Sequence, residues 1–189
     1  MEKVQLLDDT IFVIRDFFSS QECAASIERA EASGFTDAPI STSVGFVMRK
    51  EVRNNGRVML DDPELARRLW ERARPLLPAE WFYWRAAGFN ERFRFYRYDV
   101  GQRFAAHTDG YFERDNGERS QLTFMVYLND DFEGGTTNFH QARPPLRVRP
   151  QQGMALVFAH RQLHEGAPVV RGRKYVLRSD VMYRRLSAT

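Results

Sequence analysis

From Trp81 onward the chain is written in short apolar bursts with turn chemistry between them, and that rhythm limits what it can fold into. Residues 92–99, 103–109, 121–128, 136–140, 145–149, 154–159, 163–170 and 174–183 read as strands. Turn-rich pieces such as Asp130 to Gly135 and Pro150 to Gly153 separate them. Ahead of this run, residues 4–18 alternate apolar and polar and predict one or two further strands. Ser19 or Ser20 can cap a helix running to Ser33, with Glu22 at capping-box distance from Ser19 and Gly34 ending it. A second helix starts at Asp61/Asp62 with Pro63 in its first turn; Leu65, Leu69, Ala73 and Leu76 share a face, and Pro75 and Pro78 close it. Two helices before many short strands predict an α+β domain, a β-sandwich or distorted barrel with the helices packed on one sheet.

A length of 189 residues and 43% hydrophobic content fit a single domain over 1–189, with a helical N-terminal support over 1–80. No repeat or low-complexity segment interrupts it. The start carries acidic residues where a secretory signal needs a basic region, and no apolar run approaches membrane-spanning length. The sole cysteine, Cys23, can form no intrachain disulfide. A soluble, cytoplasmic protein with no membrane partner is expected; oligomeric state leaves no signal. A net charge of +3 is carried almost entirely by arginines interleaved with acidic residues, which argues against a nucleic-acid partner. The stretch Arg92 to Tyr98 alternates basic and aromatic residues, as a two-faced strand does. Lysine occurs only at positions 3, 50 and 174.

Chemistry concentrates in Tyr98 to Asp109, YDVGQRFAAHTD. His107 and Asp109 stand two apart, so on a strand both side chains reach one ion. His164, far along the chain, supplies a third ligand. Two imidazoles and one carboxylate on one face of a metal, with the other positions open, is the arrangement of non-haem Fe(II) oxygenases. His140 and His160 compete for the third position; His140 reads as a wall or surface residue and His160 as a loop residue. The aromatic run Trp81 to Trp84 reads as packing. Residues 35–60 show no sustained period, and their Arg53, Asn54, Asn55 and Arg57 read equally well as a solvated loop or a substrate-binding loop.

With these motifs in order, the chain resembles the 2-oxoglutarate- and Fe(II)-dependent oxygenases, within them the prolyl-4-hydroxylase-like group. The resemblance covers residues 92–183 and, more loosely, the two N-terminal helices. His107, Asp109 and His164 match its metal ligands. Lys174, ten residues after His164, matches the lysine that binds the distal carboxylate of 2-oxoglutarate. Tyr98 and Gly101 match Tyr-x-x-Gly, Tyr127-Leu128-Asn129 matches the strand whose tyrosine reaches the same carboxylate, and Gly134-Gly135-Thr136-Thr137 matches its Gly-Gly-x-Thr turn. Ala167-Pro168-Val169 and Gly172 also fit.

The resemblance implies a double-stranded β-helix, jelly-roll or cupin-like, with a metal-binding core over about 92–183. It implies Fe(II), 2-oxoglutarate as cosubstrate and O2, with ascorbate as a candidate stimulant. It implies hydroxylation of an unactivated C–H bond coupled to decarboxylation of 2-oxoglutarate to succinate, on a prolyl or other protein side chain or a small molecule. Tyr98 and Tyr127 stay open between core aromatics and cosubstrate contacts. Arg178 departs from the pattern: it follows Lys174 by four residues on the same strand face, free for the cosubstrate carboxylate, a substrate anion or Asp180. The FAHRQLH loop from Phe158 to His164 is also shorter than in collagen-type enzymes. Two other readings stand: a non-catalytic metal-binding or sensor domain of the same fold, and a nucleic-acid-binding or demethylating protein using Arg92 to Tyr98. A cosubstrate lysine favours the hydroxylase. Substrate is expected to enter over residues 36–60 and the Gly110–Ser120 loop.

Overall fold

A computed structural model describes residues 1–42 and 45–186. The first helix, Ser20–Ser33, begins as its sequence dictates: Ser19 accepts from the Glu22 backbone N–H while the Glu22 carboxylate accepts from the Ser19 N–H. The second helix, Pro63–Ala73, is capped by Asp62, whose carboxylate accepts from the Leu65 N–H. A 3-10 turn, Arg74–Leu76, carries it to Pro78. Arg72 and Arg29 tie the helices through Glu22 and Asp62, each at 2.6 Å.

Among the described residues the strands form a ten-stranded sheet facing a four-stranded one, with every pairing in both antiparallel. The large sheet runs Glu2–Leu7, Ile11–Arg15, Ala155–Ala159, Arg119–Tyr127, Lys174–Arg185, Arg92–Tyr98, Gly56–Asp61, Thr36–Asp37. Trp84–Phe89 pairs beside the last half of Lys174–Arg185 and carries the short strand Glu80–Trp81. The small sheet runs Phe104–His107, His164–Gly166, Thr137–Phe139, Leu146–Val148. From Arg92–Tyr98 to Lys174–Arg185 the chain passes repeatedly between the two sheets, as in a double-stranded β-helix. The first eighty residues contribute strands to the large sheet as well as both helices.

Period-two alternation then divides the core. Phe12, Ile14, Phe93, Phe95, Leu122, Phe124, Leu177 and Val181 face the helices, where Cys23, Ala30, Ala66, Leu69 and Ala73 meet them. Full burial of each such large side chain contributes about 1.5–3 kcal/mol. The opposite parity, including Val13, Tyr96, Tyr98, Leu156, Phe158 and Val176, faces the small sheet.

Several boundaries differ from the sequence pattern. The segment 163–170 is two strands, His164–Gly166 and Val169–Arg171, because Pro168 has no N–H to continue a ladder. The aromatic run at 81–84 is a hairpin tip: Trp81 and Trp84 pack on the core, whereas Phe82 and Tyr83 are 82% and 78% exposed. The Arg92 to Tyr98 stretch is the two-faced strand its alternation predicts, with Arg92 paired to Asp61, Arg94 to Asp180 and Arg97 to Glu31.

Candidate active site

His107 ends its strand and sits directly opposite His164 across the small sheet. Register therefore joins two histidines that lie far apart in sequence. Asp109 corrects the strand-parity expectation: the strand stops at His107, and Asp109 lies beyond it, held by its N–H donating to the His160 carbonyl at 2.9 Å. One donor atom from each of His107, Asp109 and His164 lies within 4.8 Å of the others.

Both histidines hold the tautomer that a metal ligand needs. Each Nδ1 lies 2.8–2.9 Å from a backbone carbonyl, Ala105 for His107 and Gln162 for His164. A carbonyl only accepts, so Nδ1 carries the proton and Nε2 offers its lone pair. These Nε2 atoms approach Asp109 at 3.6 and 3.9 Å. Burial pushes His164 down to about 4, which keeps it neutral. Phe104 stacks on His107 with ring centroids 3.5 Å apart, and Phe158 lies 4.4 Å from His164. Burial opposes ionisation of Asp109, but the Arg178 guanidinium at 3.1 Å holds it well below the usual carboxylate range. The Thr123 hydroxyl donates to Asp109 at 2.6 Å and accepts from His160 Nδ1 at 3.0 Å.

The same pocket runs from these ligands to Lys174. Lys174 is 3% exposed, and its ammonium donates to the Gly135 carbonyl at 2.6 Å with no carboxylate beside it among the described residues. Burial alone pushes it down to about 7. The Tyr98 and Tyr127 rings lie 5.3 and 5.2 Å from the ammonium. Tyr98 lines the pocket, whereas the Tyr127 hydroxyl is engaged with Thr137 at 2.7 Å. Gly135 has φ +62, and a Cβ there would meet Phe132 at 2.8 Å and Lys174 at 3.1 Å, so the Gly-Gly turn leaves room for the lysine. Arg178 pairs with Asp180 at 3.2 Å as well as with Asp109. The donor set suits a divalent iron, and an isolated buried cation in the same pocket suits a carboxylate of a chelating acid.

His160 is not among the clustered donors; it is buried and braces Asp109 through its carbonyl and Thr123. His140 is half exposed and 3.3 Å from Glu165, as a wall residue would be. Sequence reasoning missed Thr123, Tyr96 and Phe104 at this site. Strand parity with Tyr98, Lys174 and Tyr127 could have found Tyr96 and Thr123. Of the expected entry segments, 36–60 contributes Pro39, Ile40, Val52, Arg53 and Arg57 to the cleft above the site. Residues 43 and 44 of that segment lie outside the described residues. The Gly110–Ser120 loop contributes Tyr111 and Phe112 and is braced by Arg114, which bonds Glu91 and Glu118.

Residues 93–179 match the model of the 2OG-Fe(II) oxygenase superfamily. The chain is 25% identical over 197 residues to the probable prolyl 4-hydroxylase 3 of Arabidopsis thaliana, covering 87% of this chain and 66% of that one. A PKHD-type hydroxylase of Sphingopyxis alaskensis is 31% identical over 42% of this chain and 38% of its own length. The chain thus spans 66% or less of these two relatives. Among solved structures, the viral collagen prolyl hydroxylase of Paramecium Bursaria Chlorella virus-1, a 2OG complex, superposes at TM-score 0.65 with 22% identity, over 92% of this chain and 96% of that one. A prolyl hydroxylase from Trichoplax adhaerens, in complex with a hypoxia inducible factor peptide fragment, superposes at 0.67 with 16% identity, over 92% and 84%. Both likenesses concern the fold.

Proposed function

We propose that this chain is an Fe(II)- and 2-oxoglutarate-dependent dioxygenase that hydroxylates an unactivated C–H bond, with decarboxylation of 2-oxoglutarate to succinate. The observation that carries the reading is one pocket holding a His-Asp-His donor cluster at one end and a buried, carboxylate-free lysine at the other. His107, Asp109 and His164 would hold the metal, and Lys174 the distal carboxylate of the keto acid. Tyr98 would wall the cosubstrate, and Tyr127 would act through Thr137. The bound metal and keto acid supply the oxidising chemistry.

The chain's residues prepare that site. Backbone carbonyls fix the imidazole tautomers, Arg178 and Thr123 keep Asp109 ionised and oriented, and the Phe104 and Phe158 rings exclude water from the histidines. Arg178 is engaged with two carboxylates, which favours Lys174 as the cosubstrate's partner. We read the chain as one oxygenase domain, acting on a protein side chain or a small molecule; peptide binding by the Trichoplax relative supports the first. A cytoplasmic location accords with the lone cysteine being a buried free thiol.

Anaerobic calorimetry and a succinate assay test the reading. The wild type should bind one Fe(II) and slowly convert 2-oxoglutarate to succinate without substrate. Wild-type-like metal binding by His107→Ala or His164→Ala would refute the ligand set.

A further inference from the structure

Above the metal donors the pocket widens into a cleft of about 420 Å³, a size usual for small-ligand sites. Its walls hold four guanidinium groups, Arg53, Arg57, Arg94 and Arg178, and two carboxylates, Asp109 and Asp180. Asp180 is shared by Arg94 at 3.1 Å and Arg178 at 3.2 Å. Arg178 also holds Asp109 at 3.1 Å, so both carboxylates are already engaged by Arg94 and Arg178.

Arg53 and Arg57 have no carboxylate partner among the described residues. Arg53 is 4% exposed, its guanidinium held between the Tyr96 ring at 4.5 Å and the Phe104 ring at 4.4 Å. Its Nε donates to Asn55 at 2.7 Å, while its Nη2 is buried with no hydrogen-bond partner. Tyr96 is likewise buried, with the Arg178 guanidinium as the neighbour of its hydroxyl. Phe104 also stacks on His107, so Arg53 stands one ring away from a metal ligand. Arg57 pairs in register with Tyr96 on the neighbouring strand, which puts both on the cleft face. Burial and then the charge of Arg53 hold Arg57 below its ordinary value, the sign of a cation lacking its counter-charge.

A buried donor left unsatisfied is costly, and an unpaired buried cation more so. Stacking on two rings fixes the plane of Arg53, which suits an oxyanion. We propose that the substrate carries a compact oxyanion, a carboxylate or a phosphate, that Arg53 and Arg57 receive while the carbon to be oxidised faces the metal. The proposal deepens the oxygenase reading and rests on it. A neutral prolyl segment would leave this charge unmatched, so the cleft discriminates against the neutral substrate as well as for the anionic one.

The test titrates the full chain with sodium acetate and, separately, inorganic phosphate at constant ionic strength, following amide shifts by NMR. It is run on the chain alone and with Zn(II) and N-oxalylglycine bound, which occupies Lys174. Saturable shifts are expected at residues 52–58 and 94–96 in both states. Arg53→Gln and Arg57→Gln should each weaken binding at least tenfold, and the exposed Arg147→Gln should not. The tighter of the two anions names the source. Arg53→Lys, which keeps the charge, should retain more affinity than Arg53→Gln and guards against a mere packing loss. Absent saturation in the wild type, or unchanged affinity in both glutamine variants, overturns the proposal. Failure of Zn(II) and N-oxalylglycine to bind instead sinks the oxygenase reading, and the anion titration still reports on the cleft. Among compounds that raise succinate formation, an anion should exceed its neutral amide at least tenfold in kcat/KM; equal values would also overturn it.

Discussion

The two faces of the ten-stranded sheet come from the same strands by the same alternation, yet they do opposite work. On Arg92–Tyr98, Phe93 and Phe95 lock into the helices, while Arg94, Tyr96 and Tyr98 face the site. On Lys174–Arg185, Tyr175, Leu177 and Val181 pack outward to the helices, while Lys174, Val176, Arg178 and Asp180 face inward. One face gains by excluding water from hydrocarbon. The other buries charge whose counter-charges are, on our reading, a metal, a cosubstrate and a substrate. A fold can carry such a face because the first face supplies the stability that desolvated cations take away.

The comparison breaks most sharply at the proposed metal donors. His107→Ala should abolish calorimetric metal binding while leaving the thermal midpoint of the metal-free protein nearly unchanged, since its ring is at the rim of the packed core. His140→Ala should bind metal normally. On the helix face the pattern reverses: Phe124→Ala should cost about 3–5 kcal/mol in urea unfolding, yet leave the metal affinity of folded protein close to wild type.

Lys174→Ala should raise the Michaelis constant for 2-oxoglutarate by the equivalent of about 2–5 kcal/mol, as expected when one member of a buried charge pair is removed. Lys174→Met should at the same time raise the melting temperature of the free protein, because it removes a buried cation that lacks a partner. A fall in stability would show that the lysine is satisfied without cosubstrate.

Smaller effects sharpen the contrast. Thr123→Val should weaken metal binding about 10–100-fold, the usual cost of losing a hydrogen bond that orients a ligand. It should also lower the melting temperature, because the buried His160 Nδ1–H loses its acceptor. The smallest expected effect is that of pH. Lys174 is pushed down to about 7, so it is charged below that value and neutral above it. Affinity for 2-oxoglutarate should therefore fall as pH rises through about 7, with a proton taken up on binding. Flat affinity from pH 6 to 9 would show that the lysine stays charged in the free protein.

What the sequence determined alone is local. Ser19 with Glu22 and Asp62 with Pro63 start helices because caps satisfy backbone donors within a few residues. Alternation assigned faces along each strand, so Lys174 and Arg178 were legible as inward neighbours, and motif spacing joined His164 to His107 and Asp109. Tertiary structure decided what those residues meet. The expected strand to 109 ends at His107, because Asp109 gives its N–H to His160 in a loop rather than to a ladder partner. Sequence left Arg178 with several partners; packing gave it both Asp180 and Asp109, which no spacing along one strand reveals. Arg53 read equally well as a solvated loop residue, and it is buried between rings from two other strands. Phe82 and Tyr83 look like core and are a hairpin tip. Periodicity and capping act over one or two turns of chain, whereas partner, register and burial depend on segments tens of residues away.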